Sequence, residues 1–116
     1  MSTWWREWAG TSGLSADVRD RGELCLNEAA ANVVRHGVSA TVVVVAFDRT
    51  AAEVQMTVAD DGDAFDPLAY PAASLPETLD EARPGGLGIQ ILRSSSDRMV
   101  YQRLDGRNTL TLTFAL

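Results

Sequence analysis

Cysteine is almost missing from this sequence: 116 residues contain one thiol, Cys25. A lone thiol closes no internal disulfide, so a reducing cytoplasm is the expected compartment. Cys25 lies in the apolar run Leu24-Cys25-Leu26 and reads as a small buried side chain rather than a nucleophile. No stretch reaches the roughly 18 apolar residues a membrane span needs, and the tryptophan-bearing start lacks the apolar core of a signal peptide. A basic stripe is missing too. The formal net charge is -6 and the pI about 4.6, which argues against nucleic acid as a partner. Internal repeats and low-complexity tails are absent. What is present, 46% hydrophobic and 22% charged residues, suits one compact domain over residues 1–116 with a core of its own.

Trp4, Trp5 and Trp8 have helical spacing and predict a short helix whose aromatic face meets the core or another subunit. Ser15 is placed to cap a long helix reaching about His36, with Asp17 in its first turn and Gly37 as its stop. Gly22 is a weak residue inside that helix. Residues 41–47, TVVVVAF, predict a strand buried on both faces or nearly so. Residues 53–59 alternate, with Val54, Met56 and Val58 on one side and Gln55 and Thr57 on the other, as a half-buried strand does. The short link between the two predicts an antiparallel hairpin.

All four prolines fall between residues 60 and 86, in a long loop ending on Gly85-Gly86 with at most a helical turn near residues 76–82. A helix from Leu87 to about Ser95 follows. Strands at 98–103 and 108–114, joined by Asp105-Gly106, close the chain. Helix, hairpin, loop, helix, hairpin is not the alternation of a doubly wound parallel sheet. It predicts an α/β (α+β) two-layer sandwich: a mixed, mainly antiparallel sheet with helices on one face.

Three segments carry chemical groups worth weighing. Glu28 and Asn32 are four apart, so they share one face of the long helix; on the helix alone, a solvated stripe with Arg35 explains them better than a site does. Asp60-Asp61-Gly62 ends the second strand. A carboxylate there can accept from an exocyclic amine, and Gly62 permits close approach of a flat ligand, although aspartate and glycine also dominate plain turns. Gly85-Gly86-Leu87-Gly88 opens a helix, where backbone N–H groups and the helix dipole favour phosphate; a flexible linker has the same composition. Neither GxxxxGK[ST] nor G-x-G-x-x-G is complete, since Ile91 stands where the third glycine would be.

The order of these signals is more specific than any one of them. Glu-x-x-x-Asn on a helix, D-x-G at a strand end, a proline-rich loop and G-x-G into a helix resemble the GHKL superfamily of ATPases and kinases. The stretches LNEAAANVVRHG, VADDGDAFDP, GGLGIQILRSSSD and GRNTLTLTF are similar to the bacterial anti-sigma-factor serine/threonine kinases and their histidine-kinase-like ATPase relatives, over about residues 14–116. The resemblance implies a Bergerat-type ATP-binding fold and ATP with Mg²⁺ as cofactors. It implies Glu28 as general base, Asn32 as metal ligand, Asp60 with Gly62 at the adenine, and Gly86, Leu87 and Gly88 along the phosphates. Thr109 or Thr111 would reach adenine through water, and residues 65–85 would be the ATP lid. His36 would orient Asn32 or touch phosphate, or simply sit at the helix end. Ala64 stands where much of the superfamily has a second glycine.

The implied partners are a STAS-type anti-anti-sigma protein, as phosphoryl acceptor, and a sigma factor held off by the same domain. Relatives begin with an extra strand, which this chain lacks in its first residues, and that puts a homodimer in doubt. Two rival readings remain: a stand-alone histidine-kinase-like catalytic domain, whose acceptor histidine must come from a second protein, and a non-catalytic, nucleotide-dependent anti-sigma binding module.

Overall fold

A computed structural model describes residues 2–36, 39–67 and 86–116. Helix α1 spans Ser2–Thr11 and α2 spans Ala16–His36; β1 (Val43–Arg49) and β2 (Glu53–Asp60) follow, then α3 (Gly86–Ser95), β3 (Arg98–Leu104) and β4 (Arg107–Ala115). The sheet order is β1-β2-β4-β3, and all three pairings are antiparallel. Its helix-facing side supplies Val54, Met56, Val58, Leu110, Leu112 and Phe114 to one core with Trp5, Leu14, Leu26 and Leu92. The two-layer expectation holds, and the described strands contain no parallel pair. No helix among the described residues is long and apolar enough to cross a membrane.

Helix α2 starts where the sequence predicts. The Ser15 hydroxyl accepts from the Val18 N–H at 3.3 Å, satisfying a donor that the first helical turn leaves open. Its inward stripe is Val18, Gly22, Cys25, Leu26, Ala29 and Asn32, spaced by three and four. Cys25 is indeed buried, and burial pushes its thiol up to about 12, which keeps it unreactive. Gly22 is there for close approach. The Trp5 indole lies across α2, donating Nε1–H to the Arg19 carbonyl at 2.8 Å, and no Cβ fits beneath the ring. The predicted aromatic face is thereby divided: Trp5 is in the core, Trp8 packs against it, and Trp4 is exposed. The stop at Gly37 and the helical turn near residues 76–82 lie outside the described residues.

One expectation is corrected. The TVVVVAF run is not buried on both faces: β1 is an edge strand, begins two residues later, and leaves Val42, Val43 and Val44 at 51%, 44% and 48% exposure. Among the described residues helices cover one side of the sheet, so from this run Val45 and Phe47 reach the core. A run of β-branched residues reports strand propensity, and edge or centre is decided by partners far away in sequence.

The entry to β1 is fastened by Asp61. Its carboxylate accepts from the Thr41 hydroxyl and from the Thr41 and Val42 N–H groups at 2.7 and 3.0 Å. Chiefly the Thr41 hydroxyl, then these two amides, hold its carboxyl down from 3.8 to about 2. The unfolded chain therefore binds this proton first on acidification. The anchor's contribution is complete above the ordinary carboxylate value and is lost as pH falls toward about 2. Carboxyl titration by NMR is expected to place Asp61 near 2 and to find it raised toward its ordinary value in Thr41→Val. An unchanged midpoint in that variant would refute the assignment.

Candidate functional site

At one end of the sandwich the inward stripe of α2 runs past the last core layer, so that Asn32 arrives opposite the end of β2. A cavity opens there, lined by Ala29, Asn32, Val33, Val58, Asp60, Phe65, Pro67, Tyr101, Asn108 and Leu110. Its floor is apolar, and the polar groups that the described residues bring to it are two amides, one carboxylate and a phenol. The enclosed volume is about 40 Å³. That holds water rather than a whole aromatic base, so the described residues form the floor of a cleft and not a closed pocket.

Asn32 and Asp60, expected from separate segments, line this cavity together. Both are buried, at 6% and 8% exposure, which rules out the solvated stripe for Asn32. Glu28, one turn earlier on α2, is half-buried and does not line the cavity. Gly62 is buried, and its N–H donates to Asp60 Oδ1 at 2.9 Å. Gly86, Leu87 and Gly88 form the first turn of α3, as their sequence predicts, with Gly88 buried. Of the expected lid, Phe65 and Pro67 wall the cavity, and residues 68–85 lie outside the described residues.

Thr109 is placed differently from its expected role. In the register Asp60 faces Asn108 and Ala59 faces Thr109. Side chains alternate along a strand, so Asn108 shares the cavity side with Asp60, while Thr109 and Thr111 point to the opposite face of the sheet. Asn108, Tyr101 and the wall role of Phe65 went unseen in the sequence. The available signal was the alternation of β4 itself: Leu110, Leu112 and Phe114 are the core set, and Asn108 continues that set by two.

The chemistry at Asp60 is asymmetric. Oδ1 accepts from Gly62 N–H and from Asn108 Nδ2 at 3.1 Å, while Oδ2 makes no hydrogen bond among the described residues. Arg103 donates to the Gly62 carbonyl at 2.7 Å, tying the same turn from β3. A buried carboxylate with one open oxygen on an apolar floor suits a flat ligand that presents a donor. Asn32 offers an amide group at the opposite wall, and its oxygen is a hard donor suited to a divalent cation. Among the described residues no cluster of three or more His, Cys, Asp or Glu side chains forms a metal site. A cation here would complete its shell from ligand and water.

Comparison with known proteins bears on these features. Residues 1–114 match the family described as histidine kinase-like ATPase domain. The chain is 37% identical over 102 residues to the serine/threonine-protein kinase BtrW of Bordetella bronchiseptica, covering 85% of this chain and 72% of that protein.

Proposed function

This chain belongs to the histidine kinase-like ATPase family, and from that membership we propose that it binds ATP with its base at Asp60 and phosphorylates a serine or threonine of a partner protein. The observation that carries the reading is the meeting of Asn32 and Asp60 in one cavity, both buried, from segments 28 positions apart in sequence. Support for the acceptor type comes from the relative named a serine/threonine-protein kinase.

In this reading the adenine amine donates to Asp60 Oδ2 while Val58 and Leu110 supply an apolar floor. The γ-phosphoryl group passes from ATP to the partner's hydroxyl oxygen, its bond to the β–γ bridging oxygen breaks and ADP leaves, and Glu28 takes the hydroxyl proton. Mg²⁺, held by the Asn32 amide oxygen, would neutralise phosphate charge. The helix start at Gly86–Gly88 offers backbone N–H groups to the phosphates. Phosphate neutralisation by a lysine is excluded because the chain has none; every cationic side chain apart from the single histidine is arginine. The acceptor we propose is a STAS-type anti-anti-sigma protein, with a sigma factor held by the same domain, in the cytoplasm.

Incubation of the chain with labelled ATP, Mg²⁺ and a STAS partner is expected to give one phosphoserine or phosphothreonine and one ADP per transfer. Nucleotide binding without transfer would defeat the kinase reading and leave a binding module. Calorimetry showing no ATP binding with or without Mg²⁺ would defeat the nucleotide reading itself.

A further inference from the structure

The Asn108 amide, buried at 6% exposure, makes all four of its hydrogen bonds inside the protein. Nδ2 donates to Asp60 Oδ1 at 3.1 Å and to the Asp63 carbonyl at 2.7 Å. Oδ1 accepts from the Phe65 N–H at 3.2 Å and from the Tyr101 hydroxyl. This exhausts what an amide can donate and accept in this setting. It also fixes which way the amide points. Flipped, Oδ1 would oppose a carboxylate and a carbonyl, acceptor against acceptor, and Nδ2 would oppose an N–H.

The same network fixes Asp60. Its Oδ1 is used twice, by Asn108 and by Gly62 N–H, so the carboxylate is held in one orientation with Oδ2 alone turned to the ligand. We propose that Asn108 is a positioning residue for base selection: it orients Asp60 so that a base presenting an exocyclic amine is accepted and one presenting a carbonyl oxygen is rejected. This rests on the cavity being the base end of a nucleotide site. Asn108 has no hydrogen-bonding capacity left for the base and acts only through Asp60. Tyr101 is the second part of the device, because its ring walls the cavity while its hydroxyl holds Asn108 Oδ1. The chemical logic is the general one that a buried acceptor left unmatched costs more than a matched one gains.

The test measures a ratio, since weaker binding alone would follow from any structural damage. Calorimetry compares ATP with purine riboside triphosphate, which lacks only the exocyclic amine. The intact chain is expected to prefer ATP by roughly tenfold or more, the effect of one charge-assisted hydrogen bond. In Asn108→Asp a second carboxylate faces Asp60 and the Asp63 carbonyl, and the ratio is expected to collapse toward one. Tyr101→Phe keeps the ring and removes the hydroxyl. It is expected to lower the ratio by about a factor of a few, roughly one neutral hydrogen bond's effect, and it decides the matter if Asn108→Asp does not fold. Variants that bind ATP more weakly but keep the intact chain's ratio would overturn the proposal, leaving Asn108 a structural residue. An intact chain that binds both without preference would overturn this proposal while leaving nucleotide binding in place, and one that binds neither would overturn the nucleotide reading as well.

Discussion

Gly22→Ala is expected to destabilise the domain by about 3 kcal/mol or more, although alanine is the better helix former by roughly 1 kcal/mol. Sterics decide the sign. An ideal Cβ at Gly22 would stand 2.1 Å from Trp5 Cζ2, with two more ring atoms within 2.8 Å. The ring cannot give way, because Trp5 is fully buried and its Nε1–H is bound to the Arg19 carbonyl. Phe47 also packs edge-on against it, with ring centroids 5.0 Å apart. Alanine must therefore expel the indole from the core, which approaches the cost of deleting it. Thermal melting should register a drop on the order of 10 °C or more for a domain of this size. The companion experiment is the cycle with Trp5→Ala. Once the ring is gone, Gly22→Ala should be neutral or mildly stabilising, giving a coupling of a few kcal/mol between the two sites. Additive effects would show that the clash is not the cause.

Glu28→Gln is expected to reduce phosphoryl transfer about 10²-fold or more while leaving ATP affinity within about threefold. The substitution keeps the shape of a half-buried helix residue and removes only its capacity to take a proton. Asn32, one turn on, and Asp60 across the cavity retain the groups proposed to hold metal and base. The measurement pairs single-turnover transfer from labelled ATP with calorimetric titration of the same preparation. Transfer at the original rate would remove Glu28 from the chemistry. Loss of ATP binding along with transfer would mean instead that Glu28 helps to hold the nucleotide.

Local rules made much of the fold legible. The Ser15 cap, the alternation of residues 53–59, the Asp105-Gly106 turn and the helix after Gly86 each depend on neighbours a few positions away, and each is found where the sequence puts it. The exposure of β1 was not legible, because an edge strand and a central one share the same β-branched text. Gly22 looked like a local weakness. Its reason is an indole 17 positions upstream, which no helix propensity can report.

The site divides the same way. Asn32 and Asp60 were nameable from motif order, and the fold brings them together. The resemblance points to Thr109 or Thr111 and passes over Asn108 because a motif marks a segment, whereas strand parity, fixed by pairing with β2, decides which of two adjacent side chains enters the cavity. Tyr101 reaches the site only through pairing with Leu110 on β4, a relation that composition and spacing do not encode.

Asp105 and Gly106 both take left-handed backbone, with φ of 52° and 73°, as the tightest hairpin reversal demands. Those two peptide units thus act as the gauge that counts β4 into place. A chain longer by one residue at that corner, if β4 slid to accommodate it, would present the threonines inward and cast Asn108, Leu110, Leu112 and Phe114 out to water. Ligand chemistry and interior packing would be forfeited by the same shift, so this hairpin ties the integrity of the pocket to that of the hydrophobic layer beneath it.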